Sequence, residues 1–202
     1  RMRETLRVDL PLRVMFEAPT IASLAERVER ERRAHVVELQ PIRRVDRSAP
    51  LPLSFAQRRL WFLEQLNPGT SAYSNPIAFR ITGGLDVLAL QQALNEIIRR
   101  HESLRTTFRS YNGITVQVIL PPCKLDMPII DLEHLAEAER EAEALRLVTD
   151  ESQKLYDLEK GPLLRGLLVR LREDKYILSL TTHHIISDGW SLSVLIRELN
   201  EL

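Results

Sequence analysis

The densest concentration of chemically capable side chains is the run His183-His184-Ile185-Ile186-Ser187-Asp188-Gly189-Trp190-Ser191. Imidazole changes charge nearest to neutrality of any side chain, so a histidine here can carry a proton or orient a reactant. Asp188 lies four residues past His184, across a turn that Gly189 permits, and an acid there can hold a loop or orient the ring. Consecutive residues of a strand point to opposite faces, so at most one of His183 and His184 faces a given cavity. This argues against a metal pair, no third ligand is evident, and no metal is expected. No serine or cysteine is marked as a nucleophile: Ser187 and Ser191 read as turn and cap residues. The same spacing also fits two satisfied core histidines at a strand end.

The elements that must position this run read as follows. Leu163 to Leu171 and Tyr176 to His184 form a hairpin around Arg172 to Lys175, and Ser191 caps a helix from Leu192 to Leu202. Upstream, Ser54 caps a helix to about Leu66, closed by Asn67-Pro68-Gly69. Ile77 to Thr82 is a short strand. Asp86 caps a helix from Val87 to about His101, with Leu88, Leu90, Ala93, Leu94, Ile97 and Ile98 facing inward. Leu104 to Ser110 and Thr115 to Leu120 flank the turn signal Tyr111-Asn112-Gly113. Glu133 to Lys154 is a long polar helix with Leu135, Ala138, Ala142, Leu145 and Val148 inward. Strands and helices alternate without a strict βαβ rhythm, which favours an α+β sandwich of a sheet with helices upon it.

Arg1 to Glu31 reads as helix throughout, broken at Pro11, and Thr20 caps a segment from Ile21 to about Arg33 with Ile21, Leu24, Ala25 and Val28 on one face. So few large apolar groups cannot form an independent core, so residues 1–33 are expected to end a helical domain that begins upstream. Residues 34–53 carry Pro41, Pro50 and Pro52 and the basic group Arg43, Arg44 and Arg47, and read as a semi-extended linker with solvated charge. Lys plus Arg and Asp plus Glu both total 28 among 202 residues, a balance that suggests neither nucleic acid nor an anionic membrane as partner. The single cysteine, Cys123, excludes an internal disulfide framework. No apolar run reaches the roughly 20 residues of a membrane span, and a cytoplasmic location is expected.

Three stretches in order resemble motifs of the condensation domain of non-ribosomal peptide synthetases. They are Ser54-Phe55-Ala56-Gln57-Arg58-Arg59-Leu60-Trp61-Phe62-Leu63, Arg100-His101-Glu102-Ser103-Leu104-Arg105-Thr106-Thr107-Phe108, and the HHxxxDG run itself. The wording through Ser187-Asp188-Gly189-Trp190-Ser191 is similar to the subtype that joins an L-configured donor to an L-configured acceptor. Leu10-Pro11-Leu12 and Phe16-Glu17-Ala18-Pro19-Thr20 resemble the last helices of a peptidyl carrier protein. The resemblance implies three segments: carrier helices at 1–33, a linker at 34–53, and the N-terminal lobe of a condensation domain at 54–202. That lobe is of the chloramphenicol acetyltransferase-like type, and its second half would lie beyond Leu202. The 4'-phosphopantetheine cofactor would sit on carrier domains, with its serine upstream of Arg1. Donor and acceptor carriers and a neighbouring adenylation domain are the implied partners.

The implied reaction is amide formation by an α-amine attacking a carrier-bound thioester. An α-amine has a pKa near 8 in water, and an apolar tunnel lowers it, so a strong base is less necessary than for a serine hydroxyl. His184, the second histidine, is the implied active residue, either accepting the proton or orienting the amine; His183 is implied to be structural. Asp188 is implied to form a buried ion pair with Arg100, or else with Arg105. Gly189 could bring a backbone N–H to the reacting carbonyl at a helix N-terminus. Trp190 is expected to pack, and Gln57, Arg58 and Trp61 to serve helix packing. Alternatives are a coenzyme A-dependent acyltransferase of the same fold, an epimerase relative, or a non-catalytic carrier-docking lobe. The fragment alone is expected to be inactive.

Overall fold

The computed structural model describes residues 6, 8, 10–11, 13–34, 44–47 and 49–202. Leu12, Pro41 and Arg43, named above, fall outside these residues. The chain divides into two compact units, Arg1–Asp46 and Arg47–Leu202.

Within the first unit, α1 (Arg13–Glu17) and α2 (Ile21–Ala34) are helices. Thr20 caps α2 as expected: its Oγ1 accepts from the Ser23 N–H at 3.1 Å. Ile21, expected on the buried stripe, is 90% exposed, whereas Val28 is buried.

The second unit begins at Arg47, seven residues before the expected boundary at Ser54, because the end of the expected linker is recruited into a sheet. Strand β1 (Leu51–Pro52) pairs antiparallel with β4 (Ile114–Ile119), which pairs with β3 (Thr106–Tyr111). Leu53 is buried against Phe108, Leu158, Leu163, Ile185 and Ile186. The β3–β4 turn forms as its residues dictate: Asn112 and Gly113 both adopt positive φ, 51° and 77°, as a tight hairpin turn needs. Helix α3 (Phe55–Leu66) starts with a reciprocal cap, the Ser54 hydroxyl on the Gln57 N–H and the Gln57 side chain on the Ser54 N–H.

The larger sheet has the order β2 (Ser74–Thr82), β7 (Lys175–His183), β6 (Leu164–Arg172), β5 (Ile129–Asp131). β7 is antiparallel to both neighbours and β5 runs parallel to β6. β2 is an edge strand, where Pro76 is tolerated. Helices α4 (Val87–Arg100) and α6 (Gly189–Glu201) cover one face, burying Leu94, Ile97 and Leu195 against Leu168, Leu178 and Leu180. Helix α5 (Glu137–Gln153) covers the other, with Ala144 against Leu167, Val169 and Leu171. Each fully buried leucine or valine contributes about 1.5–3 kcal/mol of transfer free energy. A sheet clad on both faces explains why β6 and β7 read as near-continuous apolar runs.

The α+β sandwich is as expected, with local corrections. Leu88 and Leu145 are exposed, not inward. Helix α5 turns Ala144 and the charged Glu151 inward, a phase in which Ala138 and Ala142 are also exposed. A 3-10 turn, Glu102–Arg105, precedes β3 where a strand was expected from Leu104.

Candidate active site

His183 is the last residue of β7, and its backbone N–H donates to Leu163 O at 2.9 Å. Its side chain is 3% exposed and lies between Tyr156, edge-on at 5.6 Å, and Tyr73 at 6.2 Å. Nδ1 accepts from the Ile185 N–H at 3.1 Å, so the neutral ring carries its proton on Nε2, which has no hydrogen-bond partner. Burial first, and the neighbouring His184 second, push its pKa down to about 4. At neutral pH His183 is therefore an uncharged packing and hydrogen-bonding residue.

His184, the first residue of the turn after β7, is exposed. Its backbone N–H donates to Tyr73 O at 2.8 Å. Its Nδ1 lies 2.7 Å from the Ser187 carbonyl oxygen. A carbonyl only accepts, so Nδ1 holds the proton, and in the neutral ring Nε2 presents a lone pair. The turn making this contact is closed on itself. The Ile186 N–H donates to His183 O at 3.1 Å, and the buried Ser187 hydroxyl meets the Thr182 hydroxyl at 2.5 Å. The strand ends at His183, so the turn, rather than strand alternation, places His184.

Asp188 does not have the arginine partner expected for it. It is the N-cap of α6, its Oδ1 accepting from the Ser191 N–H at 2.8 Å and the Ser191 hydroxyl at 2.6 Å. Those bonds hold its carboxyl below the usual aspartate range, the hydroxyl contributing most. Helix α6 thus starts at Gly189, three residues before the expected start, and Ser191 is a clamp inside its first turn. Among the described residues no ion pair joins Asp188 to an arginine. Arg100 instead pairs with Glu96 at 2.8 Å and reaches Glu198 at 3.8 Å. Arg105 donates to Leu120 O at 2.5 Å and lies 3.5 Å from Glu102. Physically, an acid directly before a helix finds unsatisfied N–H donors closer than any distant guanidinium.

Trp190 corrects another expectation: it is 81% exposed rather than packed. It borders a cavity of about 220 Å³ between α4 and α6, lined also by Ile97, Leu104, Ile186 and Leu195. Gly189, the first residue of α6, is exposed, and nothing lies within 4 Å of the position a Cβ would take. Trp61 packs on the cluster holding Ile185 and Ile186, as expected, whereas Gln57 caps α3 and the exposed Arg58 lies over the exposed Phe55 ring at 4.8 Å. Sequence reasoning missed Tyr73 and Tyr156, which flank His183. Tyr73 immediately precedes β2 and Tyr156 lies between α5 and β6, with no motif to mark either.

Among the described residues no helix is long and apolar enough to cross a membrane. The chain is similar to a linear gramicidin synthase of Brevibacillus parabrevis, with 44% identity over 200 residues covering 98% of this chain and 3% of that protein. Chondramide synthase cmdD of Chondromyces crocatus is 49% identical over 162 residues, covering 80% of this chain and 4% of the synthase. The chain thus spans a few hundredths of the length of these relatives. Among solved structures, the starter condensation domain of rhizomide synthetase RzmA superposes with a TM-score of 0.69 at 25% identity, covering 75% of this chain and 38% of that one. The first condensation domain of the calcium-dependent antibiotic synthetase, in complex with substrate analogue 2a, gives 0.68 at 26% identity, covering 76% and 37%. These structures share the mixed sheet-and-helix architecture, which is that of the chloramphenicol acetyltransferase-like fold. The condensation-domain family profile matches residues 48–202, a start that agrees with the compact unit at Arg47 rather than with Ser54, and the chain belongs to that family.

Proposed function

We propose that this chain supplies the amide-forming site of a non-ribosomal peptide synthetase, with His184 as the group that receives the amine proton. The observation carrying this reading is the 2.7 Å contact from His184 Nδ1 to the Ser187 carbonyl, which fixes the tautomer with an Nε2 lone pair outward. The amine nitrogen of one carrier-bound aminoacyl thioester attacks the carbonyl carbon of another. The new C–N bond forms, the C–S bond breaks, and the proton passes through His184 Nε2 to the departing thiolate. His183, held neutral by burial, supports the turn and takes no proton at neutral pH. Asp188 acts by starting α6 rather than by touching the reaction.

The motif wording supports L-configured donor and acceptor, and a cytoplasmic enzyme fits the reading. Residues 1–33 would be the last helices of an upstream peptidyl carrier, whose α2 carries the expected cap at Thr20. The phosphopantetheine arms would arrive on carriers, as part of the substrates. Coenzyme A-dependent acyl transfer is the second reading of the same histidine, and the donor offered distinguishes the two.

The test uses the intact protein carrying this segment, with both carriers loaded, and follows the carrier-bound dipeptide by mass spectrometry. His184→Ala is expected to lower turnover by about 10²–10⁴ at unchanged folding. Undiminished turnover of that variant removes His184 as proton acceptor. Product from a coenzyme A thioester but none from a loaded carrier favours the second reading.

A further inference from the structure

Beside His183 lies a set of polar side chains that the reaction does not use. Tyr156 stands edge-on to the His183 ring, and its hydroxyl donates to Thr181 O at 2.8 Å. Burial pushes its phenol well above the usual tyrosine range, so it is a permanent donor. The Arg165 guanidinium lies 3.8 Å over the centre of the Tyr156 ring, a cation–π contact. Arg165 sits on β6 directly across from Thr181 of β7.

All three guanidinium nitrogens of Arg165 are committed. Nε donates to Glu151 Oε1 at 2.8 Å, one terminal nitrogen to Leu155 O at 3.2 Å, and the other to Glu151 O at 3.1 Å and Lys154 O at 2.9 Å. Glu151 is buried, and its second oxygen accepts from Lys154 Nζ at 2.5 Å. The planar arginine is therefore locked in one orientation, and so is the ring beneath it. Nothing comparable holds His183 itself. Among the described residues its side chain has one hydrogen bond, from the Ile185 N–H, and its buried Nε2 has no partner. The rotamer of His183 is set by the rings on either side. That rotamer decides whether Nδ1 can take the Ile185 N–H, and this bond begins the turn whose far end, Ser187 O, holds His184.

We infer that Tyr156, clamped by Arg165 and Glu151, is a positioning residue that fixes the His183 ring and thereby aims His184. The inference rests on the reading of His184 as the reacting histidine. Tyr156 touches no substrate. It acts through His183, Ile185 N–H and the turn.

The test reads His184 directly, by its rate of modification with diethyl pyrocarbonate as a function of pH, with peptide mass spectrometry of the intact protein. This measurement needs no peptide formation, so failure of the functional reading leaves it standing. Tyr156→Leu is expected to change the His184 rate at least about threefold, and to lower kcat about 10- to 100-fold with KM little altered, as misplacement of a reacting group does. Tyr156→Phe keeps the ring and the guanidinium stack and is expected to restore most of the loss. Leu171→Ala, which opens the core remote from the site, is the control for destabilisation alone. Where Tyr156→Leu does not fold, Arg165→Lys loosens the clamp with the tyrosine in place and is expected to change the His184 rate at least about twofold from wild type. An unchanged His184 rate in the folded clamp variant overturns the inference, and so does a Leu171→Ala change as large as that of Tyr156→Leu.

Discussion

Replacing His183 by asparagine isolates what its burial does. Asparagine can offer an oxygen to the Ile185 N–H in place of Nδ1, but it does not titrate. In the folded protein the ring protonates near pH 4, against an ordinary histidine value of 6.5. A depressed folded-state pKa means that the unfolded chain binds the proton first as pH falls. The contribution of the neutral histidine is therefore fully present above pH 6.5 and erodes between 6.5 and 4. From pH 7 to pH 5 one such group removes about 2 kcal/mol of stability, approaching about 3 kcal/mol below pH 4. Every other titrating group is common to wild type and His183→Asn, so the difference between their urea stabilities cancels the rest. Wild type is expected to lose about 2 kcal/mol more than the variant between pH 7 and pH 5. A difference that stays constant within about 0.5 kcal/mol over that interval would refute the argument, since a group worth less than that is not desolvated as the geometry requires.

Two further outcomes follow from packing and capping. Phe108 is fully buried between Leu53, Leu158, Leu163 and Ile185, so Phe108→Ala is expected to cost about 3–5 kcal/mol in chemical denaturation; a cost below about 1 kcal/mol would show that the cluster collapses around the gap. Asp188→Ala is expected to lower the thermal midpoint more than Asp188→Asn does, because asparagine still accepts from the Ser191 N–H; equal losses would instead point to a charge partner for the carboxylate.

The sequence displayed most of the fold through residues whose local chemistry allows few alternatives. Asp86 before Val87 and Asn112-Gly113 between two apolar runs admit one reading each, and both formed as expected. Strand β5 was illegible because three residues show no alternation. Leu51–Pro52 was hidden by its prolines, which normally mark a linker. Leu145 and Glu151 exchanged places for one reason: apolar periodicity assigns charge to solvent, and the distant Arg165, with Lys154 on the other oxygen, makes burying Glu151 tolerable. At the site, the strand ends at His183, so the exposure of His184 beside a buried His183 is set by the turn and not by strand alternation. The partner of Asp188 was misread because a motif orders residues along the chain without saying which neighbour is nearest in space.

The Arg165 contacts also bear on how the domain comes apart. Helix α5 has no basic residue in its own last turn, the usual means of quieting its exposed carbonyls. A guanidinium from the middle of the sheet does this instead, bonding the carbonyls of Glu151, Lys154 and Leu155. The C-terminal end of α5 therefore cannot fray by itself, as free helix ends do. Opening it strands a half-buried arginine on β6, beside the strand that ends at His183. Helix and sheet become one cooperative unit, and the amides at that helix end should exchange with solvent as slowly as those of the sheet.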